Sequence, residues 1–417
     1  MPILVLFFCL IIAPLYGQPL QVHVDTESAL LLNPETGKVL YEKKASKEWY
    51  PASLVKIATA LLAIEKGEGN LDKKVIASKN ALLALPPAEK RRNNCAYYPS
   101  YYLESDASLA GLKINEELTV RDLLHGTLLV SGGDASNVLA EHFGGGSIDR
   151  FMKEVNARLI QIGCTSSHFV NPSGIHHPDQ VTCAQDVAKL FFHAMHNPLF
   201  RSIVRTVKYE RKGKSSFVQT NRLLRKGPHF YPWAIGGKTG YYSLARYNLV
   251  AAAEKDGRLL IGVILGAEDS KSRFNAMRKL FDAAFRQKKV QKEVLSQGSQ
   301  AFSRAFEGGN KPLKTYLKEK ITFSFYPAEE PQLRCFLHWD EKELPIQKGE
   351  GVGHVALYAD GRFIQKVPLY AEMDIERTLY SKIILFFSWE VCLLLALLPL
   401  VAVLFLVFLR WRKSEMS

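Results

Sequence analysis

The sequence predicts an α/β (α+β) sandwich with an all-helical insert, then a small all-β domain and a C-terminal transmembrane helix. Three observations carry that prediction. Strand-like stretches lie at both ends of the region from Gln21 to Phe285, and the stretch between them reads mainly as helices and loops. After Gln287 the composition shifts, and Ile321, Phe323 and Phe325 alternate with Thr322 and Ser324. Near the end, Val391 to Leu409 is uncharged and apolar. At 1.5 Å per residue that run extends about 28 Å, close to the thickness of a bilayer core.

A chain of 417 residues, 47% hydrophobic and 23% charged, has room for two globular domains and a membrane segment. Its net charge of +13 suits nucleic acid, anionic lipid or an anionic polymer. The termini decide between these. Met1 to Gly17 has an apolar core ending in Pro14 and Gly17, and reads as a signal peptide, although its first residues lack Lys and Arg. Arg410, Arg412 and Lys413 follow the apolar run and are cytoplasmic by the positive-inside rule, with Trp389 and Trp411 as interfacial anchors. The body is then outside the cytoplasm, and nucleic acid is excluded as a partner. The organisation expected is a signal peptide at 1–17, the α/β domain at 18–290, a β-sandwich at 291–375, a transmembrane helix at 383–409 and a basic cytoplasmic tail at 410–417.

Cys9 falls in the signal peptide and Cys392 in the membrane span. Cys95, Cys164, Cys183 and Cys335 lie where disulfides are permitted, with three pairings open. No cysteine or histidine cluster has metal-ligand spacing, and no cofactor is expected. His176 and His177 fall in a loop.

The elements follow in order. Gln21 to Lys43 reads as two strands joined by the turn Asn33-Pro34-Glu35-Thr36-Gly37. Pro51 then starts a helix whose apolar run is long enough to be buried. Leu82 to Ser108 carries prolines, a charge run and four tyrosines between positions 97 and 102. It is an irregular loop, either lining a cleft mouth or held by aromatic packing. Leu118 to Leu129 is a helix capped by Thr119 with Asp122 in its first turn, and Asp134 is placed to cap the next helix. Ser147 to Ile162 and Cys183 to His193 are further helices. Phe200 to Lys226 is strongly basic. Tyr247 to Ala253 and Arg258 to Leu265 are buried strands, and Ser272 to Phe285 is a closing helix. His354 to Val367 is a hairpin turning at Asp360-Gly361.

Three short stretches hold the candidate chemistry. Ser53 and Lys56 are three residues apart, so on a helix they share a face near its N-terminus. A lysine held against apolar walls loses solvation, its pKa falls, and it acts as a base towards serine. Ser131-Gly132-Gly133 puts a serine on a glycine-loosened turn between helices. Gly236-Gly237-Lys238-Thr239-Gly240-Tyr241 reads as a strand lining a cleft, offering a cation and a hydroxyl to an anionic group.

Ser53-x-x-Lys56, Ser131-Gly132-Gly133 and Lys238-Thr239-Gly240, in that order, resemble the signature of penicillin-binding proteins and serine β-lactamases. The surrounding residues, among them PASLVKIATALLA and LPIQKGEGVGHVALYADG, resemble the D-alanyl-D-alanine carboxypeptidases of low molecular mass. The resemblance covers most of residues 24 to 375. It implies a penicillin-binding/β-lactamase-like sandwich and a peptidoglycan stem peptide as substrate, with β-lactam antibiotics as inhibitors. It further implies Ser53 as acyl-ester nucleophile, Lys56 as general base and Ser131 as proton relay. Lys238, Thr239, Gly240, Tyr241, Arg273 and Gly133 would contact the substrate, with the backbone amides of Ser53 and Tyr241 as oxyanion hole.

Gly133 departs from the family pattern, which usually has Asn there. That removes an amide that would bind substrate and orient Lys56. Asn137 lies one helical turn on, and the sequence leaves open whether it substitutes. The tail departs too, since the family commonly ends in a surface amphipathic helix. Rival readings are a DD-endopeptidase, a weakly active or non-catalytic module binding wall peptides, and a β-lactamase. The last is disfavoured because Cys164 to Pro178 offers no glutamate for deacylation.

Overall fold

The computed structural model describes residues 9–11, 18–68, 70–92, 99–386 and 389–414. The chain divides into two compact units, one of residues 17–288 with Tyr326–Glu329 and the other of the remainder.

The first unit is built on a five-stranded antiparallel sheet. Its strands are β1 (Ser28–Asn33), β2 (Lys38–Lys43), β3 (Ala234–Tyr242), β4 (Arg246–Lys255) and β5 (Arg258–Ala267). Their order across the sheet is β3-β4-β5-β1-β2, so chain start and chain end of the unit meet where β5 pairs with β1. Both faces are covered, which is why β4 and β5 read as continuous apolar runs. Val250, Ala252, Ile261 and Val263 face the core of the helical insert. Leu249, Ala251, Ala253, Leu260 and Ile264 face the opposite core with the closing helix.

The insert comprises α1 (Lys56–Lys66), α2 (Val120–Leu128), α3 (Gly133–Phe143), α4 (Ile148–Gln161), α5 (Ala184–His196) and α6 (Pro198–Arg205). Thr119 caps α2 in a reciprocal capping box with Asp122. The residues before it, Glu117–Thr119, are a short strand, so the helix starts two residues later than the sequence suggested. The closing helix α7 spans Ser272–Phe285 and buries Phe274, Met277, Leu280 and Phe281. Each such side chain contributes about 2–3 kcal/mol.

Asp134 does not cap α3, whose N-cap is Gly132. Its carboxylate accepts from the backbone amides of Ala110 (2.7 Å), Gly111 (2.9 Å) and Leu112 (3.0 Å). It anchors the segment before α2. Cys164 and Cys183 are buried and unbridged. Burial raises both thiols, that of Cys164 to about 12, so neither is a reactive thiolate. Cys95 lies outside the described residues.

The second unit holds β6 (Val290–Leu295), β7 (Gly298–Arg304), β8 (Leu313–Leu317), β9 (Ile321–Phe325), β10 (Leu333–Trp339), β11 (Gly351–Ala359) and β12 (Arg362–Ala371). β6 pairs with β9, while β10-β11-β12-β8-β7 form a sheet to which Cys9–Ile11 adds on the β10 edge. The rest of the expected signal peptide, 1–8 and 12–17, lies outside the described residues. A helix follows at Leu379–Phe386, then one at Trp389–Ser414 that contains Pro399. Its segment Leu393–Arg412 is long and apolar enough to cross a membrane and is unburied.

One buried ion pair ties β5 to the return segment Tyr326–Glu329. Arg258 Nε donates to Glu329 at 2.7 Å, Arg258 Nη1 donates to the Ala284 carbonyl at 2.6 Å, and Asn33 donates to Glu329 at 2.8 Å. Removing one partner leaves a charge buried alone, which costs about 3–5 kcal/mol. Glu329→Ala should therefore lower the thermal midpoint of the first unit by about 10 °C, at roughly 2–4 °C per kcal/mol for a domain of this size. Calorimetry checks this, and an unchanged midpoint would contradict it.

Candidate functional site

Pro51 opens a 3-10 turn, Ala52–Val55, that runs directly into α1. Ser53 therefore sits on the turn and not on the α-helix itself. A 3-10 turn repeats every three residues, so Ser53 and Lys56 still meet. The Lys56 amine lies 3.0 Å from Ser53 Oγ. It also donates to the Ser173 carbonyl. Lys56 is 2% exposed. Burial brings its amine down to about 7, only partly opposed by the charge of Asp134.

Ser131 has a positive φ of 64°, a left-handed conformation that costs a non-glycine residue about 1–2 kcal/mol. That turn aims its hydroxyl at the Lys238 amine, 2.8 Å away. Lys238 is fully buried and also donates to the Thr239 carbonyl at 2.8 Å. Burial, then the charges of Lys56 and Arg273, hold its amine well below the ordinary lysine range. The Thr239 hydroxyl is 2.9 Å from that of Thr220.

Close backbone packing sets β3 against the Ser53 turn. A Cβ on Gly240 would lie 3.0 Å from the Pro51 carbonyl oxygen and 3.3 Å from Ser53 N. Asn248, on β4, donates to the Tyr50 and Pro51 carbonyls at 2.9 and 3.2 Å and accepts from Gly266 N at 2.9 Å. Arg273, from α7, donates to the carbonyls of Gly240 (3.1 Å) and Asn248 (3.3 Å). Tyr241 is half exposed and stacks on Tyr247 with ring centroids 4.3 Å apart.

These parts enclose a cavity of about 360 Å³. Ser53, Lys56, Ser131, Gly133, Thr239, Gly240, Tyr241 and Arg273 line it, and Lys238 stands behind Ser131 and Thr239. Every site residue expected from the sequence is thus brought to one place. Thr239 lies on β3, and Arg273 reaches that strand through the Gly240 carbonyl; Glu104, Asp106 and Ser108 also line the cavity, with Gly133 N donating to the Ser108 carbonyl at 2.8 Å.

Asn137 does not replace the missing amide. Its side chain donates to the carbonyls of Ala81 (3.0 Å) and Tyr101 (2.8 Å), away from Lys56. It fastens the loop from Leu82 to Ser108. That stretch is not wholly irregular, since Pro87–Arg92 is helical and Ala84–Leu85 pairs with Leu103–Glu104, but Tyr101 and Tyr102 pack edge to face and its end at Glu104–Ser108 lines the cleft. Tyr97 and Tyr98 lie outside the described residues. A Cβ on Gly133 would come 3.2 Å from Leu103 Cδ2 and 3.5 Å from Ser173 Cβ, so this loop occupies part of the space next to Gly133.

The sequence reading missed the segment 170–176, which supplies the second hold on Lys56. Asn171 accepts from Gly174 N at 2.8 Å and donates to the Ile175 carbonyl at 2.8 Å. Gln180 donates to that same carbonyl at 2.7 Å and accepts from Val170 N and Asn171 N. Gly174 has φ +79°, and a Cβ there would strike the Ala52 carbonyl. His176 packs between Tyr50 and Tyr242, at 4.6 and 5.1 Å between ring centroids. The only available signal was an Asn and a Gln in an otherwise unpatterned loop. The acceptor itself is a backbone carbonyl, which no residue type announces.

A buried lysine beside a serine and a second serine held by a second lysine, itself on a cleft-lining strand, meet in one cleft of a penicillin-binding fold. Residues 16–269 match the family Peptidase S11, D-alanyl-D-alanine carboxypeptidase, and residues 291–377 match the penicillin-binding protein 5 C-terminal domain. The chain belongs to the peptidase S11 family of D-alanyl-D-alanine carboxypeptidases. It is 30% identical over 366 residues to D-alanyl-D-alanine carboxypeptidase DacF of Bacillus subtilis (strain 168), covering 85% of this chain and 86% of that one. It is 27% identical over 363 residues to DacC of Escherichia coli (strain K12), covering 85% of each. Penicillin binding protein 5 from Haemophilus influenzae superposes with a TM-score of 0.58 at 25% identity, covering 85% of this chain and 99% of that one.

The Asn171 network yields a prediction. Asn171→Ala should release the Ser173 carbonyl and readmit water to Lys56. Misplacing a reacting group costs on the order of 10²-fold, so penicillin acylation should slow by about that factor. Resolvation raises the lysine pKa, so the midpoint of the rate against pH should move upward. Stopped-flow acylation reads both, and a slower rate with an unmoved midpoint would contradict the positioning role.

Proposed function

We propose that the chain is a serine-type D-Ala-D-Ala carboxypeptidase that trims peptidoglycan stem pentapeptides, anchored by its C-terminal helix in the bacterial cytoplasmic membrane. Its catalytic unit works on the extracytoplasmic side after removal of the signal peptide. The observation that carries this reading is the Lys56 amine, buried, depressed to about 7 and 3.0 Å from Ser53 Oγ.

Lys56 takes the Ser53 proton as Oγ attacks the penultimate D-Ala carbonyl. The backbone amides of Ser53 and Tyr241 receive the oxyanion, about 3 kcal/mol for one such donor. Ser131 relays the proton held by Lys56 to the leaving amine of terminal D-Ala, which returns Lys56 to its neutral form, with Lys238 holding the Ser131 hydroxyl. Lys238, Thr239 and Arg273 bind the terminal carboxylate; that negative charge favours the protonated form of Lys238, which burial disfavours in the empty site. Lys56 then accepts a proton from the water that hydrolyses the acyl-serine. β-Lactams acylate the same serine.

A second reading is a wall-peptide-binding module with weak turnover. It is favoured by Gly133 together with Asn137 facing away from Lys56.

Release of D-alanine from a pentapeptide ending in D-Ala-D-Ala tests the proposal. Release and penicillin labelling should both vanish in Ser53→Ala. The neutral amine is the active form, so acylation should rise as pH passes through about 7 and level off above it. Gly133→Asn should raise turnover if the missing amide limits it. No release from the wild type, with penicillin still labelling Ser53, would favour the binding module. Neither release nor labelling would contradict both readings.

A further inference from the structure

The basic stretch noted between Phe200 and Lys226 has no part in the reaction above, yet its end forms a second cavity. This cavity has a volume of about 520 Å³ and is lined by Arg222, Arg225, Lys226, His229 and Lys271 among others. Local sequence explains the arrangement. Asn221 caps the turn Arg222–Leu224 by accepting from Leu223 N at 3.1 Å. Leu223 and Leu224 are buried, which turns Arg222 and Arg225 outward.

None of the four cations forms an ion pair among the described residues. The nearby acids are engaged elsewhere. Asp269 accepts from the amides of Lys271 (2.6 Å) and Ser272 (2.9 Å) and from the Ser272 hydroxyl (2.6 Å). Asp282 accepts from the Tyr231 hydroxyl at 3.1 Å. The Arg225 guanidinium donates to the Gln219 carbonyl at 3.3 Å. His229 Nδ1 is shielded from solvent, and the imidazole interacts with the Asn275 side chain. Thr220 and Arg273, which line the catalytic cleft, are each two residues from Arg222 and Lys271 respectively, which line this cavity. Arg222 is close enough that its charge assists burial in lowering the Arg273 guanidinium to about 10.

We propose that this cavity is a subsite for a multiply charged oxyanion of the phosphate class, beside the Arg273 end of the catalytic cleft. Arg222, Arg225, Lys226 and Lys271 form no ion pair among the described residues, Lys271 alone being partly offset by the Asp269 charge, and a polyanion relieves their mutual repulsion. A single carboxylate neutralises one of the four. Guanidinium forks such as Arg222 and Arg225 match phosphate oxygens in bidentate fashion. The phosphate is supplied either by a soluble ion or by a lipid headgroup.

The test titrates inorganic pyrophosphate into the full chain in zwitterionic detergent at low salt, by calorimetry. One saturable site is expected, weakened at least about tenfold in Arg222→Glu/Arg225→Glu. The double variant Arg205→Glu/Lys212→Glu changes net charge equally outside this cavity and should bind like wild type. No saturable binding by wild type, or equal weakening in both double variants, overturns the proposal. Vesicles containing phosphatidic acid separate the sources. Binding lost in Arg222→Glu/Arg225→Glu and displaced by pyrophosphate supports a headgroup; pyrophosphate binding without cavity-dependent vesicle binding supports a soluble ion. Penicillin labelling of Ser53, measured alongside, reports the catalytic site separately, so failure here is distinguishable from failure of the peptidase reading.

Discussion

The contact between the buried Lys56 amine and Ser53 is what the rest of the catalytic unit serves. A lysine in water is an ammonium at neutral pH and a poor base. Here the walls of the helical insert withhold water, while the Ser173 carbonyl fixes the direction of the amine. The 3-10 turn sets the spacing, Asn248 pins the turn to the sheet, and Asn171 with Gln180 fixes the loop that supplies the carbonyl. Each device bears on the proposed proton transfer from Ser53 to Lys56.

This arrangement carries a local cost. Ala52 and Ser131 both occupy left-handed backbone conformations, at φ 48° and 64°. Lys56, Lys238 and Arg273 share one region, and each of the two lysines is disfavoured as a cation by burial. Such strain persists only where the surroundings over-determine it. Here the surroundings are the close-packed β3 backbone and the buried Asn network. In the proposed reaction a substrate carboxylate compensates these cations.

Much of this was legible in the sequence, for physical reasons. The Ser53–Lys56 spacing survives the change from α-helix to 3-10 turn, because both bring residues three apart to one side. α7 was read at its observed bounds, since its apolar period is uninterrupted. Thr119 was legible as the cap and Asp122 as a first-turn acid, and the structure adds their reciprocal bonding. What stayed hidden lies in atoms without residue identity or in contacts between distant segments. The Ser173 carbonyl is backbone. Asn137 was a candidate for Lys56 by sequence distance, yet its amide satisfies the carbonyls of Ala81 and Tyr101. Asp134 looked like a helix cap, but its carboxylate accepts from three loop amides as well as from the first-turn amide of Ala135. The Glu104–Ser108 wall belongs to a stretch with no periodicity, so its place in the cleft follows from tertiary packing alone.

The most direct test is to observe the Lys56 amine itself. NMR of lysine labelled with ¹³C at Cε, titrated from pH 5 to 11 and assigned with Lys56→Arg, reads its protonation. The account predicts that the resonance lost in Lys56→Arg titrates near 7. A Lys56 resonance titrating with the surface lysines, near their ordinary value of about 10.4, would contradict it.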